Sequence, residues 1–312
     1  MYNEKEVKRV KEHLIIKSEF DQLPIDVTIM KPSHPKGIIQ ISHGMCEHKE
    51  RYDDFMQYLC QQGYVCLIHD HRGHGKSVLK PDDLGYFYHQ GEIGIVEDVH
   101  QLTLWIKKQY PLLPCYLFGH SMGSLVVRCY CQKYDQDIDG LFVCGSPSQN
   151  PAAGLGLLLT KIITCIKGDH YRSALIQKIG FDAFNKNFDK STPNSWICSD
   201  KEVIKSYNQD PLCRFTFTTN GFTSLFRLMQ QTYSSEHWQM KNPQLPIQFI
   251  SGENDPCLTN EKKFKEAVAF MENCGYQHVS YRLFPHMRHE ILNEKKKEEV
   301  YQFILKTLKS WE

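Results

Sequence analysis

No stretch of this 312-residue sequence reaches the roughly 18 uninterrupted apolar residues of a membrane-crossing helix; the nearest, GLGLLLTKIITCIKG, is broken by Lys161. The first residues, MYNEKEVKRVKEHLIIKSEF, contain no apolar h-region, so no secretory leader is expected and the cytoplasm is the expected compartment. Neither sign of charge prevails. Lys+Arg number 37 against 36 Asp+Glu, a net charge of +1, and the basic residues form no stripe, which excludes a nucleic-acid footprint. There is no CxxC pair. The 12 cysteines are scattered, and Cys66, Cys115 and Cys144 fall inside apolar runs, so they read as buried reduced thiols. Cys129 and Cys131 would lie on one helix facing different ways, and no zinc or redox site built on cysteine is expected. Internal repeats and low-complexity linkers are absent too.

What is present is a rhythm. Short apolar runs at 25–30, 37–42, 65–69, 115–118, 140–144, 246–251 and 279–284 read as strands. Between and after them, segments near 52–62, 92–109, 122–133, 261–273 and 294–310 have helical period. Strands alternating with helices predict a mostly parallel, doubly wound α/β sheet, with an antiparallel edge pair joined through SEFDQLP. The rhythm stops over 148–241, read as a helical insertion lying over the carboxyl edge of the sheet. That divides the chain into a first core part, 1–147, the insertion, 148–241, and a second core part, 242–312.

CYLFGHSMGSLVV places Ser121 between Gly119 and Gly123, after a strand-like run and before an amphipathic helix. A serine hydroxyl is a weak nucleophile at neutral pH and needs a base, an orienting acid and oxyanion donors. A sharp strand-to-helix turn projects such a serine above the sheet edge, and side chains two residues either side would clash there. One oxyanion donor is expected from the amide of Met122, the residue after the nucleophile. The other is expected from Met45, after His43-Gly44 at the end of strand 37–42. In SGENDP, Asp255 sits where a loop carboxylate reaches back across the sheet edge, with Glu253 as a substitute. In FPHMRHEILNE two histidines compete as base, His286 nearer the strand and His289 nearer the helix, and the residues alone leave both open.

The blocks HGMCEHKERY, HDHRGHGKS, GHSMGS, SGENDP and MRHEILNE, in that order and spacing, resemble the monoacylglycerol lipase and lysophospholipase branch of the α/β-hydrolases, the serine aminopeptidase S33-like group. The likeness covers almost the whole chain, and DPLCRFTFTTNGFTSLF in the insertion looks like the bacterial members. The resemblance implies an eight-stranded α/β-hydrolase fold with a helical cap. It implies Ser121 as nucleophile, Asp255 as acid and His289 as base, because His289 falls on the histidine of the RHE block. His286 stands where relatives usually carry glycine and remains the rival. The resemblance also assigns the oxyanion hole to the Met45 and Met122 amides. His69, His71 and His74 raise a metal reading, but no block of matching ligand spacing accompanies them. The family's version of that loop is structural, through Asp70, Arg72 and Gly73.

These residues predict acyl transfer to water through an acyl-enzyme, with no metal or organic cofactor. For the substrate only the insertion informs. Leu155, Leu158, Leu159 and Ile162, with Leu157, Ile163 and Ile166, spread over more than one helical face. They serve core packing or a dimer contact, or form a greasy mouth that takes an acyl chain or touches a lipid surface, with Lys161 and Lys167 toward headgroups. The expected partners are small-molecule acyl esters: monoacylglycerols, lysophospholipids or other medium-to-long acyl esters. An aminopeptidase, whose cap needs acidic residues for a free amine, fits the mildly basic insertion poorly. A non-catalytic receptor that kept the fold is the reading from another class.

Overall fold

The computed structural model describes residues 10–236 and 238–312, apart from the side chain of Asp182. The first nine residues of the charged amino-terminal stretch read above as lacking a leader, 1–9, lie outside the described residues. Eight strands form one sheet: β1 (Val10–Lys17), β2 (Pro24–Lys31), β3 (Gly37–Ser42), β4 (Tyr64–His69), β5 (Cys115–His120), β6 (Gly140–Cys144), β7 (Pro246–Gly252) and β8 (His278–Phe284). Their spatial order is β1-β2-β4-β3-β5-β6-β7-β8. β1 pairs antiparallel with β2 across the SEFDQLP turn, β2 pairs antiparallel with β4, and the remaining pairs are parallel. Every residue of β3, β4, β5 and β6 is buried, as a sheet covered on both faces requires, and this is why these runs are mostly apolar; Gln40 within β3 is buried as well and donates to Val99 O at 2.8 Å. β1 alternates between exposed and half-buried along most of its length, which suits an edge strand and leaves only a weak apolar signal.

Helices cover both faces. α1 (Asp53–Gln61), α2 (Gly91–Gln109), α3 (Met122–Tyr134), α8 (Glu261–Asn273) and α9 (Lys297–Trp311) belong to the strand-helix alternation, while α4 (Ala153–Lys167), α5 (Ala174–Phe181), α6 (Lys201–Gln209) and α7 (Thr219–Thr232) fall between β6 and β7. Phe118 and Phe142 point to the layer of α1 and α9, where they join Phe55 and Ile304. Their neighbours Leu117 and Val143 point to the other face, with Val126 and Phe264. This is the period-two division expected of a strand buried on both sides. The last helix begins at Lys297, later than the expected 294, because Glu294 turns inward and accepts the Arg288 and Ser199 amides at 2.9 Å each.

The strand order has a direct consequence for function. From β3 the chain first adds β4 on one side and then crosses to β5 on the other, so the carboxyl ends of β3 and β5 part around a crevice. Ligand sites in open α/β sheets form at such a switch point. Ser42 and Gly119 are register partners there, and the loops that follow them carry Gly44 and Ser121.

Candidate active site

Ser121 lies between β5 and α3 with φ 52° and ψ −119°, a strained conformation for a residue with a side chain. Its amide donates to Cys144 O at 2.9 Å, and its carbonyl accepts from the Ser124 amide at 2.9 Å. The flanking glycines have a steric cause. A Cβ on Gly123 would sit 2.1 Å from Ser42 O and 2.5 Å from His43 O, and one on Gly119 would sit 2.5 Å from Gly123 O. The helix therefore crosses the end of β3 in contact with its backbone. Gly44 is as tight: a Cβ would come within 3.0 Å of Ser121 Cβ and 2.6 Å of Glu47 Oε1.

Asp255 follows β7 and is fully buried beside His289, whose Nδ1 lies 2.9 Å from Asp255 Oδ2. The same oxygen accepts from Ser251 Oγ at 2.9 Å, and Oδ1 accepts the Cys257 amide at 2.8 Å. Burial pushes the Asp255 carboxyl up, but the His289 charge and hydrogen bond, with the Cys257 and Ser251 donors, outweigh it and hold the pKa below the ordinary carboxylate range. Ser121, Met45, Met122 and His289 line one cavity of about 1510 Å³. Met122 opens α3, so its amide has no intrahelical acceptor, and Met45 lies in the turn after Gly44. The rivals lie elsewhere: His286 is exposed at φ 63°, with its amide 3.4 Å from the exposed Glu253 carboxylate.

His43 supports the loop after β3. Its Nε2 accepts the His71 amide at 2.9 Å, so Nδ1 carries the hydrogen and donates to Gly44 O at 2.8 Å. His69 Nε2 lies 3.1 Å from His71 Nδ1, and His71 Nε2 lies 2.9 Å from Ser42 Oγ, so these rings wire the ends of β3 and β4 together. Burial lowers His43 to about 4 and His69 and His74 to about 3, keeping them neutral. Asp70 accepts the Lys49 amide at 2.8 Å, Arg72 pairs with Asp98 at 2.9 Å, and a Cβ on Gly73 would meet Tyr86 O at 2.5 Å.

The sequence reading passed over a second layer beneath these groups. Glu47 is buried and accepts from the Gly44 amide, from Tyr52 Oη at 2.9 Å and from His120 Nδ1 at 3.2 Å. Arg51 donates to Glu47 at 2.8 Å and makes a two-pronged pair with Glu290 at 2.7 and 2.6 Å. Glu290 adjoins His289, so one guanidinium joins the loop after β3 to the loop that holds His289. Burial pulls His120 down, but the hydrogen bond and charge of Glu47 raise it above the ordinary histidine value. The Trp196 ring stands 4.9 Å from the His289 ring. The i,i+4 spacing of Glu47 and Arg51 inside HGMCEHKERY was the available signal.

The chain matches the serine aminopeptidase S33 family over residues 33–296. It belongs to that family. Within it, the chain is similar to a monoglyceride lipase homolog of Monkeypox virus, 26% identical over 89% of this chain and 90% of the relative. It is also similar to the monoacylglycerol lipase of Mycolicibacterium smegmatis, 23% identical over 89% and 88%. Among solved structures, a thermostable carboxyl esterase from Bacillus coagulans, in complex with glycerol, superposes with a TM-score of 0.88 at 27% identity, covering 96% of this chain and 98% of that one. The S33 chain thus has the α/β-hydrolase fold, monoacylglycerol lipase-like group.

In this S33 protein the cavity above Ser121 is walled largely by the segment between β6 and β7, with Leu159, Ile176, Phe181, Phe226 and Met229 among its apolar residues. Of the four residues expected to touch substrate, Leu155 and Leu159 line it. Leu158 and Ile162 do not; they lie one position round α4 and are 57% and 50% exposed. Leu157 and Ile163, with Leu159, pack against the core.

Proposed function

We propose that this carboxylic ester hydrolase cleaves esters of medium-to-long acyl chains, monoacylglycerols foremost, through an acyl-enzyme on Ser121. Ser121 Oγ attacks the ester carbonyl as His289 Nε2 takes its proton, while Asp255 holds the Nδ1 hydrogen and steadies the imidazolium. The Met45 and Met122 amides receive the developing oxyanion. His289 then protonates the departing alcohol, and water cleaves the acyl-enzyme by the reverse sequence. Residues 148–241 serve as the cap that shapes the acyl pocket.

The observation that carries this reading is the cavity itself. Its volume of about 1510 Å³ exceeds the ~300–1,000 Å³ of an ordinary small-molecule pocket and suits a long chain. Leu155 and Ile179, which line the cavity, and Leu158, Ile162, Ile166 and Leu175 on the same two helices, α4 and α5, are 50–73% exposed, an apolar surface suited to transient contact with a lipid surface. No described helix is long and apolar enough to cross a membrane.

The aminopeptidase alternative needs a free carboxylate for the substrate amine. Among the described lining residues the carboxylates are Glu47 and Glu290, and Arg51 engages both. The other charged residues among the described lining are Lys186, Lys190 and Arg214. A panel of p-nitrophenyl and glyceryl monoesters, run beside a prolyl anilide, tests the assignment. The expected kcat/KM rises from acetyl to longer acyl chains, with negligible anilide turnover. A profile peaking at acetyl, or an anilide rate matching the esters, would overturn the substrate reading.

A further inference from the structure

The loop after β3 and the chain between α6 and α7 meet at His48. Its Nε2 lies 2.9 Å from Asp210 Oδ2, and its Nδ1 lies 2.6 Å from Glu50 Oε2. The Asp210 carbonyl accepts the Cys213 amide at 3.0 Å and its Oδ1 accepts the Leu212 amide at 2.8 Å, a turn that returns Cys213 to the same place. The ligand-capable atoms of His48, Asp210 and Cys213 all lie within 4.8 Å of one another. We propose that His48 Nε2, Asp210 Oδ2 and Cys213 Sγ form a binding site for a zinc-class divalent ion, tying the loop that carries Met45 to the segment that roofs the cavity.

Two features carry the argument. The donor set is imidazole, carboxylate and thiolate, which suits Zn²⁺ or Co²⁺ with a fourth position left for solvent and disfavours Mg²⁺ and Ca²⁺. Glu50 already holds the other ring nitrogen of His48, the carboxylate–histidine arrangement that orients a metal-binding imidazole and raises its basicity. Coordination uses the Nε2 lone pair and a thiolate, so the hydrogen that Nε2 shares with Asp210 and the thiol hydrogen leave to solvent as the ion enters. The nearby Arg51 is matched by Glu47 and Glu290. His48 and Cys213 are buried, whereas the Asp210 side chain is 29% exposed and gives the ion its route in.

The sequence held no hint of this, because His48 and Asp210 are 162 residues apart. The test uses the full chain, stripped with EDTA and carrying Cys165→Ser to remove an exposed thiol. Titration with Co²⁺ is expected to give a thiolate-to-cobalt charge-transfer band saturating at one equivalent, and Zn²⁺ a rise in Tm. Cys213→Ser and Asp210→Asn should each abolish both effects, and Glu50→Gln should weaken binding by about 10–100-fold. Cys257→Ser serves as control, since Asp255, Cys257 and His289 are a second close group; it should change neither readout. Melting in EDTA reports whether each variant folds, and if one fails the other decides. No band in the parent, a band that survives both Cys213→Ser and Asp210→Asn, or one lost in Cys257→Ser would overturn the proposal.

Discussion

Replacing His289 with alanine is expected to lower kcat by about 10⁶-fold, the scale of losing a triad histidine, with the fold retained. The same change at His286 is expected to leave kcat within about twofold, as for an ordinary surface substitution. The contrast rests on placement. His289 is buried, with Nδ1 2.9 Å from a carboxylate that is itself held by Ser251 and the Cys257 amide. His286 is exposed and makes its recorded contact through its backbone. Steady-state ester hydrolysis by the two variants, with circular dichroism to verify folding, checks the pair. A large loss in His286→Ala with little in His289→Ala would reverse the assignment of the base.

The second large effect is expected at a residue with no side chain. Gly123→Ala would place a methyl group 2.1 Å from Ser42 O, where the obstacle is backbone and cannot rotate away. Overpacking of this kind costs about 3 kcal/mol at the upper end of the usual range, and this contact lies at that end. Relief requires α3 to withdraw from β3, which moves Ser121 relative to Met45, and a displacement of about 1 Å costs on the order of 10²-fold in rate. Both a fall in denaturation midpoint and a loss of kcat in the folded fraction are expected. Gly180→Ala, where a Cβ meets nothing within 4 Å, provides the comparison and should change neither. Unaltered activity in Gly123→Ala would mean that the elbow tolerates more separation from β3 than its geometry implies.

These results bear on how far the chain could be read before folding. β3 and β6 match the expected 37–42 and 140–144 because strands buried on both faces must be largely apolar. β1 is half exposed, and its range appeared only through the turn that follows it. Ser121, Gly119 and Gly123 were legible because the elbow demands those residue types at fixed spacing. The choice between His286 and His289 was not legible from the residues, since both follow one strand and only the turn after Phe284 decides which ring is buried. The layer of Glu47, Arg51, His120 and Glu290 was hidden for another reason. Its members are polar residues that look solvated in sequence, and their burial depends on pairing across as many as 239 positions. Likewise the apolar residues of α4 spread over a broad arc, and sequence period alone does not say which meet core, cavity or solvent.

The central claim is that Ser121 is an activated nucleophile, and reaction of the folded protein with a fluorophosphonate, located by peptide mass spectrometry, tests it most directly. The account predicts one adduct, on Ser121, formed rapidly in the parent and absent from Ser121→Ala. Folded protein that stays unmodified, or carries its adduct on another residue, would contradict it.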